Sequence, residues 1–431
     1  MPSQTDSLRD SDPLYFPSDS DELSIYIHVP FCDKKCPYCD FFVVRNDLSR
    51  HLRWKDAVCT EASLRLTPSL LRAPHLLRSI YFGGGTPSLV SAKHIAAVID
   101  AICASLGLTQ IPPNCEVTLE ANPTDLLDPL AVSAYLQQAG VNRFSVGVQS
   151  FNDRELTGLL GRNHQASDAI TALETLFACG AKNVSIDLIT ELPKTPDEAD
   201  FTSSLNRFQE TLATTTALIK QGRIHHLSLY NLLIQEGTLF AVKPPKLPPE
   251  KISMQLLNAA ISQLTAANLE RYEISAFAKK GYVSVHNSGY WRARRFIGLG
   301  PSAHSYTDAL TRTQNISSLN RYCSALLGTP SPSKSTLPAI TQMQESLPQK
   351  RRQAELLSVA LRLSCGIDIA EFTKKYGPFS KELTTSVAVL KKMDLLRERI
   401  VNTHARLQLT EKGCRLYNEV GRELVILEED S

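Results

Sequence analysis

The chain has 431 residues, 43% hydrophobic and 21% charged, enough for two or three domains around a sizeable core. Lys+Arg of 46 against Asp+Glu of 44 leaves a formal charge of +2. That balance, without a basic run, argues against nucleic acid or an anionic membrane as a partner. No apolar run approaches the roughly 18 residues of a membrane helix, so no span is expected.

Residues 1–20 are acidic, rich in Ser and Pro and without an apolar core. They read as a flexible tail, not a secretory signal or transit peptide, and the expected location is the cytoplasm. Residues 21–243 read as six strand–helix units. Apolar or β-branched runs stand at Leu23–Val29, Ser79–Phe82, Glu116–Glu120, Arg143–Gln149, Asn183–Ile189 and His226–Ile234. Helical spacing fills the gaps, at about Leu48–Leu66, Ala92–Leu106, Pro129–Gln138, Ala166–Cys179 and Asp200–Lys220. Near-continuous apolar strands alternating with helices predict an α/β fold, a parallel sheet buried on both faces. Six units suit a partial (β/α)6 TIM-like barrel, whose chemistry gathers at the C-terminal strand ends.

Pro244, Pro245, Pro248 and Pro249 end this part. An extension over 244–328 follows, with a helix near Lys251–Ala267 and an aromatic segment, Tyr272–Tyr306, expected as short strands and loops. Residues 329–350, with Pro330, Pro332, Pro338 and Pro348, read as a linker. The remainder, 351–431, predicts a small helical, winged-helix-like domain with one hairpin, expected over the barrel mouth. Lacking a basic footprint, it reads as a docking or covering module and not a DNA reader.

Of ten cysteines, only Cys32, Cys36 and Cys39 are close together; the other seven read as small buried hydrophobes. The three lie in HVPFCDKKCPYCDFF, directly after the first strand. Thiolates at CxxxCxxC spacing can converge on one soft centre, zinc or an iron–sulfur cluster. Structural zinc wants a fourth protein ligand, and position 41 is Phe41. A [4Fe-4S] cubane held by three cysteines leaves one iron open. The amino and carboxylate groups of S-adenosyl-L-methionine (SAM) can chelate it, and one electron can then cleave the sulfonium.

CxxxCxxC with the aromatic Tyr38 resembles the radical-SAM superfamily signature. Gly83–Gly84–Gly85–Thr86–Pro87 follows the second strand, where missing side chains let backbone groups approach the methionine amino group. Glu120, in TLEANP, closes the third strand and can accept from ribose hydroxyls. Gln149, Arg162 and Asp187 stand at or after the next strand ends.

IYIHVPFCDKKCPYCDF, YFGGGTPS, LEANP, RFSVGVQSF, YEISAFA and HNSGYW together resemble the HemW family of heme chaperones, relatives of the oxygen-independent coproporphyrinogen III oxidases. The resemblance implies iron–sulfur ligation by Cys32, Cys36 and Cys39, with SAM contacts at Tyr26, Gly84, Gly85, Thr86, Glu120, Gln149, Arg162 and Asp187. It implies heme as ligand, and an acceptor apo-protein and an electron donor as partners. The rival is a radical-SAM oxidase decarboxylating a porphyrinogen. An oxidase would want a further cysteine where Phe41 stands and a longer segment before the cluster than the 31 residues here. A zinc-binding interaction protein is the remote third reading.

In HNSGYW, His286 can ligate heme iron while Tyr290 and Trp291 offer flat apolar surface. The alternative is that His286 holds a loop while the two aromatics fill the core. His304 is a weaker candidate near the SAM pocket; His225 and His226 read as strand-edge residues. The strand-five motif reads DLITELP, so Thr190 and Glu191 replace the family's Tyr and Gly. A larger, charged residue there bears on loop geometry and access.

Overall fold

A computed structural model describes residues 21–426, apart from 196, 197, 199, 308–310, 329, 330, 402 and 403. The expected flexible tail, residues 1–20, lies outside them. Six strands form where the apolar runs predict them: β1 (Leu23–Val29), β2 (Leu77–Gly84), β3 (Glu116–Ala121), β4 (Arg143–Gln149), β5 (Val184–Thr190) and β6 (His226–Asn231). They pair in parallel in that order. The crossovers carry α1 (Leu48–Arg65), α2 (Ala92–Ser105), α3 (Pro129–Gln137), α4 (Ala166–Ala178) and α5 (Thr202–Lys220). In α2, Ile95, Val98, Ile99 and Ile102 fall at i, i+3, i+4 and i+7 and are buried. Each such side chain contributes about 1.5–3 kcal/mol of transfer free energy, which selects the face turned to the sheet.

The sheet does not stop at six strands. After α6 (Glu250–Ala266), β7 (Glu270–Glu273) and β8 (Ala276–Ala278) add antiparallel beside β6. The chain then forms α7 (Val285–Trp291) and returns to the other edge. There β9 (Arg295–Leu299) joins β1 in parallel, followed by antiparallel β10 (His304–Tyr306) and β11 (Thr311–Asn315). With a last strand, β12 (Thr341–Ser346), the order is β12-β11-β10-β9-β1-β2-β3-β4-β5-β6-β8-β7. The partial barrel is thus extended on both edges. Glu61 of α1, fully buried, clamps one extension to it. Its carboxylate accepts from Arg65 Nε (2.7 Å), Asn315 Nδ2 (2.8 Å), Gly300 N (2.8 Å) and Tyr322 Oη (2.6 Å).

Two expectations change. The stretch read as a linker contains β12, whose alternating half-buried and exposed residues, TQMQES, form a polar edge strand. Backbone pairing holds it, so no apolar run announces it. HNSGYW, expected in strands and loops, is helix α7. Ser284 caps it, and the Glu116 carboxylate accepts from the amides of Val285 and His286, both at 2.9 Å.

The C-terminal region holds α8 (Gln349–Ala360), α9 (Ile369–Tyr376), α10 (Lys381–Lys392) and α11 (Tyr417–Ile426). A three-stranded sheet of Ile367–Asp368, Leu396–Val401 and His404–Leu409 accompanies them, in a winged-helix-like arrangement. Leu357, Phe372, Leu390 and Leu407 belong to its own core. It packs beside β7 and α7: Glu273 bridges Leu363, and the Arg362 guanidinium lies 4.3 Å from the Trp291 ring centroid. None of its described residues lines the cavity at the barrel mouth.

Candidate functional site

At the C-terminal ends of β1–β6 a cavity of about 370 Å³ opens, within the range of cofactor sites. Among the described residues its lining runs no further along the chain than Leu233. Cys32, Cys36 and Cys39 all reach it. Their loop is pinned at its base, where Val44 N donates to Pro30 O (2.7 Å) and Asn46 N to Cys32 O (2.8 Å). The His28 side chain ties in Phe42 O at 2.8 Å. Burial pushes the Cys32 thiol up to about 11 and also raises Cys39. Binding a soft metal centre would displace these protons. Among the described residues no three His, Cys, Asp or Glu side chains converge to hold a single ion. Three thiols spread around one cavity rim instead suit the three iron corners of a cubane.

Two glycines of the second-strand loop are sterically required. Gly84 has φ +107°, and a Cβ there would sit 2.4 Å from His28 Cε1. A Cβ on Gly85 would lie 2.6 Å from Phe31 O and 2.8 Å from Val29 O. Those carbonyls accept from Thr86 N (2.7 Å) and Gly85 N (2.8 Å), locking the glycine loop against the cysteine loop. Thr86 Oγ1 lies 3.4 Å from Cys32 Sγ.

The floor is acidic. Glu120 accepts from Tyr81 Oη (2.6 Å) and Gly84 N (3.1 Å), and burial raises its carboxyl to about 7. Burial raises Asp187 to about 6 against hydrogen bonds from Ser228 and Ser145. Arg162 spans the rim: Nη1 donates to Cys36 Sγ (3.5 Å), Nη2 to Asn122 Oδ1 (2.7 Å) and Gly147 O (3.0 Å). Its Nε is buried with no hydrogen-bond partner among the described residues. Gln149 lines the cavity with φ +68°, a conformation costly for a side-chain-bearing residue.

Seven of the eight residues expected to contact SAM therefore line one cavity. Tyr26 does not: its hydroxyl meets His28 Nδ1 (3.2 Å) and its ring stacks 6.2 Å from Tyr81, one layer below. Asn122, Ser145 and Tyr230 line the cavity unforeseen. Their only sequence signal is position at a strand or strand end.

HNSGYW lies deeper. His286 is 1% exposed. Ser79 Oγ donates to Ser24 Oγ, so it accepts from His286 Nδ1 at 2.8 Å, and Tyr290 Oη meets Nε2 at 2.8 Å. Burial holds the ring neutral, its pKa far below the ordinary histidine value. Both nitrogens are engaged, leaving no lone pair for heme iron in this arrangement. The ring stacks 4.6 Å from Tyr81, which in turn holds Glu120. Trp291 packs under Arg362. His304 is exposed on β10 and does not line the cavity. His226 is no edge residue: it is fully buried between Ser185 and Tyr272, both at 2.8 Å. Glu191 takes φ +61°, the left-handed conformation a glycine would occupy without strain.

Residues 26–202 match the model of the radical SAM superfamily. The heme chaperone HemW of Bacillus subtilis is 31% identical over 406 residues, covering 92% of this chain and 97% of that protein. This chain belongs to the HemW family. HemW of Escherichia coli is 35% identical over 289 residues, 65% of this chain and 69% of that one. Among solved structures, coproporphyrinogen III oxidase of E. coli superposes with a TM-score of 0.71 at 21% identity, covering 98% of this chain and 93% of that chain. That likeness shows a shared radical-SAM fold. The HemW membership carries a SAM-binding [4Fe-4S] centre with it, and the thiol rim and glycine cradle fit those groups.

Proposed function

We propose that this chain is a heme chaperone that binds heme and passes it to an acceptor apo-protein, with a SAM-binding [4Fe-4S] cluster supporting the transfer. The observation that carries this reading is the match to the B. subtilis chaperone, which spans 97% of that protein and so includes the C-terminal region. Cys32, Cys36 and Cys39 hold the cluster. Gly84, Gly85 and Thr86 take the methionine end of SAM, Glu120 the ribose, and Gln149, Arg162 and Asp187 the rest of the cavity. The cluster supplies an electron to the SAM sulfonium when bound. Tyr26 acts from the layer below by orienting His28. His286, Tyr290 and Trp291 serve as the barrel's inner plug and position Tyr81 beneath Glu120; this geometry supports packing over direct contact with heme.

The domain layout that fits this function is a barrel over 21–243, an extension over 244–346 that takes in β12, and a C-terminal docking unit from α8 onward. No helix among the described residues is long and apolar enough to cross a membrane. We propose a cytoplasmic location, in keeping with cysteines that are free thiols among the described residues, with an electron donor as second partner.

The test is anaerobic reconstitution with iron and sulfide, then titration with iron protoporphyrin IX followed at the Soret band, and mixing with a heme-free acceptor. Saturable heme binding and loss of heme to the acceptor are expected. Consumption of coproporphyrinogen III with stoichiometric SAM cleavage, and no saturable heme binding, would overturn the reading in favour of the oxidase.

A further inference from the structure

Several residues that line the cavity have no part in the cluster and SAM assignments above. Phe41, Tyr230 and Leu233 line it yet stay 56%, 46% and 56% exposed. Large apolar side chains left half in water around a cavity mouth mark a binding surface. Lys34 and Lys35 line the same cavity and are exposed. Lys35 Nζ donates to Phe41 O at 3.3 Å, which sets an ammonium group against the apolar shelf. The rim carboxylate of Asp33 accepts from Asn46 Nδ2 at 2.9 Å.

An apolar shelf bordered by two ammonium groups complements a flat apolar disc with two carboxylates on one edge. We propose that heme docks on this rim, its ring against Phe41, Tyr230 and Leu233 and its propionates on Lys34 and Lys35, capping the SAM cavity. The proposal rests on the heme-chaperone reading and says where the cargo sits. Two alternatives in the same molecule fit less well. His286 has both ring nitrogens engaged inside the barrel. A second cavity, of about 400 Å³, presents His75 and Ile111 among prolines, but no Lys or Arg among the described residues lines it to meet a propionate. Docking on the rim also brings heme and SAM together, so bound heme slows SAM exchange.

The full chain, reconstituted anaerobically with iron and sulfide, is titrated with iron protoporphyrin IX and with its dimethyl ester, which lacks both carboxylates. Lys34→Glu/Lys35→Glu is expected to weaken heme binding roughly tenfold or more and to leave the ester within about twofold. Phe41→Ser/Leu233→Ser is expected to weaken both ligands roughly tenfold. Iron, sulfide and radiolabelled SAM are quantified on each variant. If the charge-reversed chain takes up no cluster, the wild type decides: an ester bound as tightly as heme overturns the propionate contacts. Heme affinity unchanged in both double variants, or a loss confined to His75→Ala, overturns the rim site and leaves the chaperone reading standing. No saturable heme binding by the wild type sinks that reading itself.

Discussion

Replacing Glu120 by Gln removes the titrating group from the cavity floor with little change of shape. Each Glu120 oxygen already accepts one protein hydrogen bond, from Tyr81 Oη or from Gly84 N, which leaves one lone-pair position on each for the ribose diol. With the carboxyl raised to about 7 by burial, about nine-tenths is ionised at pH 8 and about one-tenth at pH 6. If the ribose binds the carboxylate form, the SAM Kd rises roughly tenfold from pH 8 to pH 6 in the wild type. In Glu120→Gln the amide oxygen must face Gly84 N–H, which can only donate, so one ribose hydroxyl loses its acceptor. Charge-assisted bonds are also lost, together roughly 1–3 kcal/mol, or about ten- to a hundredfold in Kd, and the pH dependence falls to the roughly twofold that Asp187, at about 6, leaves. Stability shifts the other way. A carboxyl whose folded pKa lies above its ordinary value of 4.5 costs the fold stability as pH rises from 4.5 to about 7. Glu120→Gln is therefore expected to be more stable than wild type above pH 7, by up to about 3 kcal/mol, and equal to it near pH 4. Equilibrium dialysis of SAM on reconstituted protein between pH 6 and 8, with chemical denaturation alongside, checks both. A wild-type Kd constant across this range, or the same pH profile in the variant, refutes the reasoning.

Three further outcomes are expected. Gly85→Ala drives a Cβ into Phe31 O and Val29 O, so the cysteine and glycine loops separate; the loss of two backbone hydrogen bonds costs roughly 1–3 kcal/mol, and SAM binding measured by dialysis should disappear. Glu61→Ala removes a fully buried acceptor of four hydrogen bonds and should cost roughly 3–5 kcal/mol in a urea titration; a loss below 1 kcal/mol would show that the clamp between α1 and the extension is not needed. Glu191→Gly relieves a left-handed residue and should gain roughly 0.5–1 kcal/mol, whereas Glu191→Ala should gain nothing.

The core strands were legible because apolar residues recur at every second position along each run, as at Leu23, Ile25, Ile27 and Val29 or Phe144, Val146 and Val148. Leu23–Val29 and Arg143–Gln149 fall where their runs predict them. The cluster loop was legible because Cys32, Cys36 and Cys39 are neighbours in the chain, and Gly84, Gly85, Glu120 and Asp187 because strand ends converge in any such barrel. Other features depend on partners far away in sequence. HNSGYW becomes a buried helix because Glu116 holds its amino end and Ser79 takes its histidine, residues about 170 and 207 positions away. β12 exists because β11 offers a backbone edge, a force that leaves no hydrophobic pattern. Tyr26 sits a layer below the cavity because Gly84 leaves room for the His28 ring between them. Local composition and periodicity determined the barrel and its cluster loop; which side chains face the cavity, and which are consumed as packing beneath it, only the tertiary structure decided.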